Sequence, residues 1–554
     1  MPRLLTRLLA ARGVSAADLP AYFKPDIRNL AAPEDLPGVV EAADIILAAL
    51  ADGRRIAVFG DYDCDGVCAT AILLRCLRCL VTDGRADERV VPFLPNRLDE
   101  GYGMTDAALA RLLREHPDVG LVVTVDNGIN SVTQVADLKG RGISVVITDH
   151  HLPGSEKPAA DALIDPKVAA PASLEGLCGA GVAFFLANRV VSEAKRRGLY
   201  AGPCVAGPLL VLAGLATVTD IMPLRGQNRI LVSEALARFR KLAPLGLLKL
   251  LDRAARSTPV RLTSKDFGFL IGPRINAAGR MASGMSALEL LLSDDADIAS
   301  ESARIIDGYN TERRTVEQRM SDEAMAKVIP GAEAQVIELP DGHPGVAGIV
   351  AARVLERLGG TGPVFVLAAG HGSARAPDGI NVRDAMEACS DVLSRFGGHA
   401  AAGGFSVKDG QVDEFRRQVC AYCRRQAEED PRFAAARRGE SVLDAWVDPA
   451  DLTLDLAERL IEMEPFGDGN AEPVFGLRQV QVSDVRPLGS DGRHLIVSFA
   501  DRRIPAAVWW GHGADVETYR AKSAAPMDIV FSLGISDYGT RHLELRVIAI
   551  CPAA

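Results

Sequence analysis

Ile56-Ala57-Val58-Phe59-Gly60-Asp61-Tyr62-Asp63-Cys64-Asp65-Gly66 decides the fold: an apolar run stops abruptly in three alternating carboxylates and a glycine. The run reads as a strand buried on both faces, and residues 67–80 as the helix that follows it. The arrangement recurs twice. Leu121-Val122-Val123-Thr124-Val125 runs into Asp126-Asn127-Gly128, and Ser144-Val145-Val146-Ile147-Thr148 runs into Asp149-His150-His151. Strand followed by helix, repeated, predicts βαβ units and a mostly parallel sheet with helices on both faces. In such a sheet the loops past the C-terminal strand ends share one crevice, where ligands bind.

Working outward, a further strand is expected near 90–93 and helices over 105–115, 130–140, 180–197 and 205–219, the last delivering Asp220 at its end. Residues 228–325 carry helical periodicity, with a charged run from Ser293 to Lys327 that reads as a long, exposed connector helix. A second α/β unit follows: strands at 334–338 and 363–367, a helix at 345–358, glycine-rich segments 370–375 and 397–404, and a helix at 411–427. Beyond it, five short alternating segments (474–482, 493–499, 504–510, 527–535 and 541–550) predict a small antiparallel barrel, with the oligonucleotide-binding (OB) fold as the leading candidate. The domains expected are 1–235 (catalytic, with an N-terminal extension), 236–328 (helical linker), 329–428 (smaller α/β) and 440–554 (OB-like).

At 554 residues and 48% hydrophobic the chain is too long for one core. A net charge of −10 argues against a wholly basic coat but leaves room for a local basic groove. Ten cysteines, diluted over this length, suit a reduced, cytoplasmic setting. Cys76/Cys79 and Cys420/Cys423 have zinc-like spacing, but both lie inside helical patterns and read as separate thiols. Arginines at 3, 7 and 12 interrupt the N-terminal apolar stretch, so no signal peptide is expected, and no apolar run is long enough to span a membrane.

Carboxylates and imidazoles converging in one crevice repel unless cations lie among them. An EF-hand loop also begins Asp-x-Asp-x-Asp-Gly, but its twelfth position requires Glu, and here that position is Ile72. Oxygen ligands with an imidazole suit Mn2+ or Mg2+, and carboxylates in this number can hold two ions roughly 3.5–4 Å apart, a clamp for in-line displacement at phosphorus. A lone aspartate at a strand or helix end also serves as a helix N-cap, which for Asp220 alone is an equal reading.

Asp63-x-Asp65, Asp126, Asp149-His150-His151 and Asp220 resemble the four motifs of the DHH phosphoesterases. Gly60-Asp61-Tyr62-Asp63-Cys64-Asp65-Gly66, Thr219-Asp220-Ile221-Met222-Pro223-Leu224, the stretch from Gly272 to Arg280 and Phe396-Gly397-Gly398-His399 narrow the resemblance to the RecJ branch, single-strand-specific 5′→3′ DNA exonucleases of recombination and repair. The likeness runs from about residue 35 to the end. It implies that Asp63, Asp65, Asp126, His150 and Asp220 hold two metals, with Asp126 bridging, while Asp61 either joins the first ion or hydrogen-bonds its water. Asp149 and His151 are implied to stand beside the ligands, His151 stabilising charge on phosphoryl oxygens. Ser373, Arg375, Gly398 and His399 match the motifs that grip substrate, and Asn276 and Arg280 are placed to reach a terminal phosphate. Ala376 departs from the branch, where serine is common.

The expectation is a metal-activated water releasing 5′-mononucleotides from single-stranded DNA. Trp509, Trp510, Tyr538 and Arg541 are candidate contacts in the tail, at least one tryptophan being core. Single-strand-binding protein and a helicase are the expected partners, and a monomer the expected state. The rivals are a phosphodiesterase of short oligoribonucleotides or cyclic dinucleotides, and a non-catalytic DNA-binding scaffold.

Overall fold

The computed structural model describes residues 3–97, 99–202, 206–255, 261–437, 443–489, 492–522, 525–536 and 541–552. Five strands, β1 (Arg55–Phe59), β2 (Val90–Phe93), β3 (Val119–Val125), β4 (Ser144–Thr148) and β5 (Ala162–Ile164), form a sheet in the order β2-β1-β3-β4-β5. Every pairing in it is parallel. Ile56 and Val58 pack into the apolar cluster on one face and Ala57 and Phe59 into that on the other. Two buried faces explain why the strand text is continuously apolar, each buried Val, Ile or Phe side chain stabilising by about 1.5–3 kcal/mol. The direction of winding reverses between β1 and β3, so the crevice opens at their C-terminal ends. The three-residue β5 was not anticipated.

Helix Cys64–Arg78 starts three residues before its expected position because Asp63 caps it, its Oδ1 accepting from the backbone N–H of Asp65 and of Gly66, both at 3.0 Å. Helices fill the stretch between the two sheets and end in Ala296–Ala326. This helix differs from the exposed connector expected: Ala299, Ala303, Ile306, Met320 and Ala324 form a buried stripe. Glu317, only 8% exposed, pairs with Arg313 at 2.9 Å and with Arg353 of the second unit at 3.1 Å. The charged surface text masked a helix that packs along its length.

The second sheet contains β6 (Gln335–Leu339), β7 (Val364–Ala368), β8 (His371–Arg375), β9 (Leu393–Gly398) and β10 (Ala402–Val407) in the order β6-β7-β8-β10-β9. The third contains β11 (Ala445–Trp446), β12 (Val474–Val480), β13 (Val482–Leu488), β14 (His494–Phe499), β15 (Ala507–Trp509), β16 (Met527–Ser536) and β17 (His542–Pro552), ordered β11-β12-β16-β17-β15-β14-β13. The tail is thus an OB-like sheet of seven strands, not five. Its edges, β11 and β13, do not pair among the described residues, so the expected barrel is not closed. A bulge inside β12, between Leu477 and Val480 with Gln479 at φ 51°, kinks the strand near its end; β13 starts at Val482, and its residues 483–488 lie outside the expected segment 474–482.

The N-terminal helix Arg3–Ala11 buries Leu5, Leu8 and Leu9 in the same cluster as Phe475, Phe531 and Leu545, so the extension packs with the tail. Cys76, Cys79, Cys420 and Cys423 form no disulfide, Cys76 facing the Ala187 carbonyl and Cys420 that of Ala334. Among the described residues no helix is long and apolar enough to cross a membrane.

Candidate metal centre

Asp61, Asp63 and Asp65 leave the C-terminal end of β1, Asp126 that of β3, and His150 that of β4, while helix Ala206–Thr219 presents Asp220. Folding brings all six together. One ligand atom each from Asp61, Asp63 and Asp126 lie within 4.8 Å of one another, and so do those of Asp65, His150 and Asp220. His150 Nε2 stands 3.1 Å from Asp126 Oδ1 and 3.6 Å from both Asp65 Oδ2 and Asp220 Oδ2. Asp126 therefore sits between the two groups. Its backbone is in the left-handed region, at φ 62°, a conformation that costs energy in any residue with a Cβ and persists only where the surroundings enforce it.

Gly179 is part of that enforcement. A Cβ there would lie 2.6 Å from Asp126 Cβ and 2.9 Å from its Cα. The N–H groups of Gly179 and Ala180 also each donate to the Asp65 carboxylate at 2.7 Å, seating it on a helix N-terminus whose dipole favours an anion. Asn276 Oδ1 accepts from Cys64 N at 2.8 Å and ties the acidic loop to helix Gly272–Met281.

Asp61 Oδ1, Asp126 Oδ1, His150 Nε2 and Asp220 Oδ2 are buried without a hydrogen bond. Such atoms cost free energy unless something else satisfies them. Burial first, and then mutual repulsion, push the carboxyls of Asp61, Asp63, Asp126 and Asp220 above the usual carboxylate range. Burial also pulls His150 down to about 4, leaving a neutral imidazole able to donate a lone pair. The donor set is oxygen-rich and faces inward, which fits divalent Mn2+ or Mg2+ and disfavours a thiolate-seeking ion.

Asp149 turns away from this cluster. Its Oδ2 accepts from Ile129 N at 2.9 Å and its Oδ1 faces His151 Nδ1 at 2.7 Å. Burial opposes charge on His151, but this bond and the Asp149 charge outweigh it and raise the imidazole above its ordinary value. The Tyr102 hydroxyl donates to the Asp126 carbonyl at 3.1 Å and lies against the His151 ring.

The second sheet faces the centre across a cleft of about 1100 Å³, whose walls include Asn127, His151, Arg383, Gly398 and His399. An adjoining cleft of about 760 Å³ holds Tyr62, Arg97 and Ser373, and the two share Tyr102 and Gly398. Arg280 donates to the Gly345 carbonyl at 2.9 Å, while burial and the neighbouring Arg97 and Arg375 guanidiniums push its pKa down to about 10. Three cations held together in this way suit a phosphate. Gly348 leaves room for Arg375, since a Cβ there would meet the guanidinium at 2.8 Å. In the tail, Trp509 is buried against His512, Trp510 is exposed beside His494, and Arg541 pairs with Glu458. Tyr538 lies outside the described residues.

Sequence reasoning missed Tyr62, Arg97, Tyr102 and Arg383. The first three belong to loops past the C-terminal ends of β1 and β2, where position alone signals a site; none is itself an acid or a histidine, so none was given a role.

Comparison with known proteins agrees with this architecture. Residues 55–208 match the DHH family N-terminal domain, 331–425 the DHHA1 domain and 443–549 the RecJ OB domain. The chain is 35% identical to the single-stranded-DNA-specific exonuclease RecJ of Dickeya dadantii, over 100% of its own length and 96% of that protein's. Among solved structures, RecJ of Thermus thermophilus in complex with Mn2+ superposes with a TM-score of 0.81 at 31% identity, covering 100% of this chain and 76% of that one. The same protein in complex with Mg2+ gives 0.77 at 30% identity, covering 100% and 75%.

Proposed function

Because the chain belongs to the RecJ family of single-stranded-DNA-specific exonucleases, we propose that it hydrolyses the 5′-terminal phosphodiester of single-stranded DNA, releases 5′-mononucleotides and steps toward the 3′ end. The observation that carries this reading is the set of buried, unpartnered ligand atoms on Asp61, Asp126, His150 and Asp220. Asp61, Asp63 and Asp126 would hold one Mn2+ or Mg2+, and Asp65, His150 and Asp220 a second, with Asp126 shared. When bound, two such cations activate a water and neutralise charge on the phosphoryl group.

The chain's own residues do the rest. Asp149 fixes the orientation of His151 and favours its charged form, so that a positive edge faces the cleft where phosphoryl oxygens gather charge. Arg280, Arg375 and Ser373 receive the terminal phosphate, Gly398 lets backbone approach it, and His399 lies across the cleft from His151. Asn276 acts through Cys64, keeping the acidic loop in place. Tyr102 links the Asp126 backbone to His151, so Tyr102→Phe is expected to slow turnover roughly fivefold, the worth of about 1 kcal/mol for one hydrogen bond, with Mn2+ uptake unchanged. Steady-state kinetics beside a Mn2+ titration checks this.

The same reading divides the chain at 1–235, 236–328, 329–428 and 440–554, makes the last unit a nucleic-acid-binding one, and places a monomeric enzyme in the cytoplasm, where a helicase and single-strand-binding protein supply its substrate. A complete inward-facing donor set argues against a non-catalytic scaffold. Long single-stranded DNA labelled and blocked at each end in turn tests the polarity: a 5′ block should stop release and a 3′ block should not. Equal turnover of a dinucleotide and a long strand would favour the small-substrate rival.

A further inference from the structure

Asp220 is presented by a strained turn. Ile221, the next residue, is β-branched yet has φ 57°, in the left-handed region, and its side chain is 73% exposed, so burial of the side chain does not hold it there. Something must fix the chain on both sides. On the helix side, Asp220 N donates to the Ala216 carbonyl at 2.9 Å and Met222 N to that of Thr217 at 3.1 Å. On the other side the partner is the tail: Leu224 N donates to the Asp468 carbonyl at 2.8 Å and Arg225 Nε to the Gly469 carbonyl at 2.5 Å. Gly469, at φ 67°, fits against Pro223, which a Cβ would meet at 3.2 Å.

The loop making these contacts, 463–470, is organised by one side chain. Asn470 is 2% exposed. Its Nδ2 donates to the carbonyls of Met463 and Pro465 at 2.9 and 2.8 Å, and its Oδ1 accepts from Arg12 Nη1 at 2.8 Å and the Tyr22 hydroxyl at 2.9 Å. Arg229, in the helix that follows the Asp220 turn, donates to the Met463 and Glu464 carbonyls at 3.0 and 2.8 Å and lies over the Tyr22 ring. Asn470 thus joins the N-terminal extension, the tail and the segment that carries a ligand of the metal centre.

We propose that Asn470 is a positioning residue for the metal centre: it shapes loop 463–470 so that the loop clamps the turn presenting Asp220, which makes the tail part of the metal scaffold as well as a nucleic-acid-binding unit. This rests on the assignment of Asp220 as a metal ligand. Removing the side chain should loosen the turn, weaken cation binding and leave capture of DNA at the cleft unaltered.

The test uses the full chain. Mn2+ binding is measured calorimetrically without DNA, and KM for a 5′-phosphorylated single strand at saturating Mn2+, for the wild type, Asn470→Ala and Tyr22→Phe. Asn470→Ala should raise the Mn2+ dissociation constant about tenfold, Tyr22→Phe two- to threefold, and both should keep KM within twofold. Should Asn470→Ala prove unfolded by circular dichroism, Tyr22→Phe, which removes one hydroxyl, decides alone. Unchanged Mn2+ affinity in the folded variants, or a rise in KM without loss of Mn2+ affinity, would overturn the proposal. Absence of Mn2+ binding by the wild type would instead defeat the metal-centre reading itself.

Discussion

Asp126→Asn is expected to reduce turnover at least 10³-fold, about 4 kcal/mol in barrier, while making the metal-free protein more stable. The two effects share one cause. Asp126 stands between two groups of ligand atoms, its Oδ1 unpartnered and 3.1 Å from His150 Nε2, and burial together with the charges of Asp65, Asp63 and Asp220 pushes its carboxyl well above the usual range. A neutral amide removes the bridging charge that cations require and, in their absence, relieves the repulsion among the remaining acids. A carboxyl with a raised folded-state pKa keeps its proton in the folded chain where the unfolded chain has lost it, so the metal-free fold loses stability as pH rises above the ordinary carboxylate range, and the variant loses less. Mn2+ at a hundredfold excess over its dissociation constant should stabilise the wild type by about 2.7 kcal/mol for each ion bound and the variant far less. Thermal denaturation with and without Mn2+, beside a nucleotide-release assay, gives both readings; a variant that remains active, or is less stable without metal, would refute the assignment.

Gly179→Ala should be nearly as damaging although it touches no charge. The added Cβ would lie 2.9 Å from the Asp126 Cα, a backbone atom that cannot swing aside, and the same residue's N–H holds Asp65. Relief requires Asp126 or the start of helix Gly179–Arg196 to move, and that displaces ligands of both groups at once. Overpacking of this kind costs about 1–3 kcal/mol of stability, and a shift approaching 1 Å at reacting groups about 10²-fold in rate. Turnover and the Mn2+ half-saturation point should both worsen. Wild-type kinetics in the variant would show that the approach of Gly179 to Asp126 is not a constraint on the site.

The catalytic half was legible because its strands are buried on both faces and its acids follow them directly. β1, β3 and β4 announce themselves as continuous apolar runs, and Asp61, Asp126 and Asp149 mark their ends. Less legible was anything decided by distant packing. Helix Arg3–Ala11 carries no local sign that Leu5, Leu8 and Leu9 complete the core of the tail, some 450 residues away. β5 is three residues long, too short for a periodic signal, and β13 buries only Val482 and Val485, a spacing that does not alternate. Within the site, residue types pointed to the side chains that converge but not to their supports. That Gly179 shapes Asp126, that Asn276 reaches Cys64 and that Tyr102 contacts His151 are matters of three-dimensional approach between loops.

The most direct measurement is the stoichiometry of Mn2+ bound by the full chain, followed by electron paramagnetic resonance as the cation is added. Two ions per chain should be taken up saturably, competed by Mg2+ and abolished or reduced to weak residual binding in Asp126→Asn. A wild-type chain that takes up no stoichiometric Mn2+, or binds it equally well with Asn at 126, would contradict the two-metal reading.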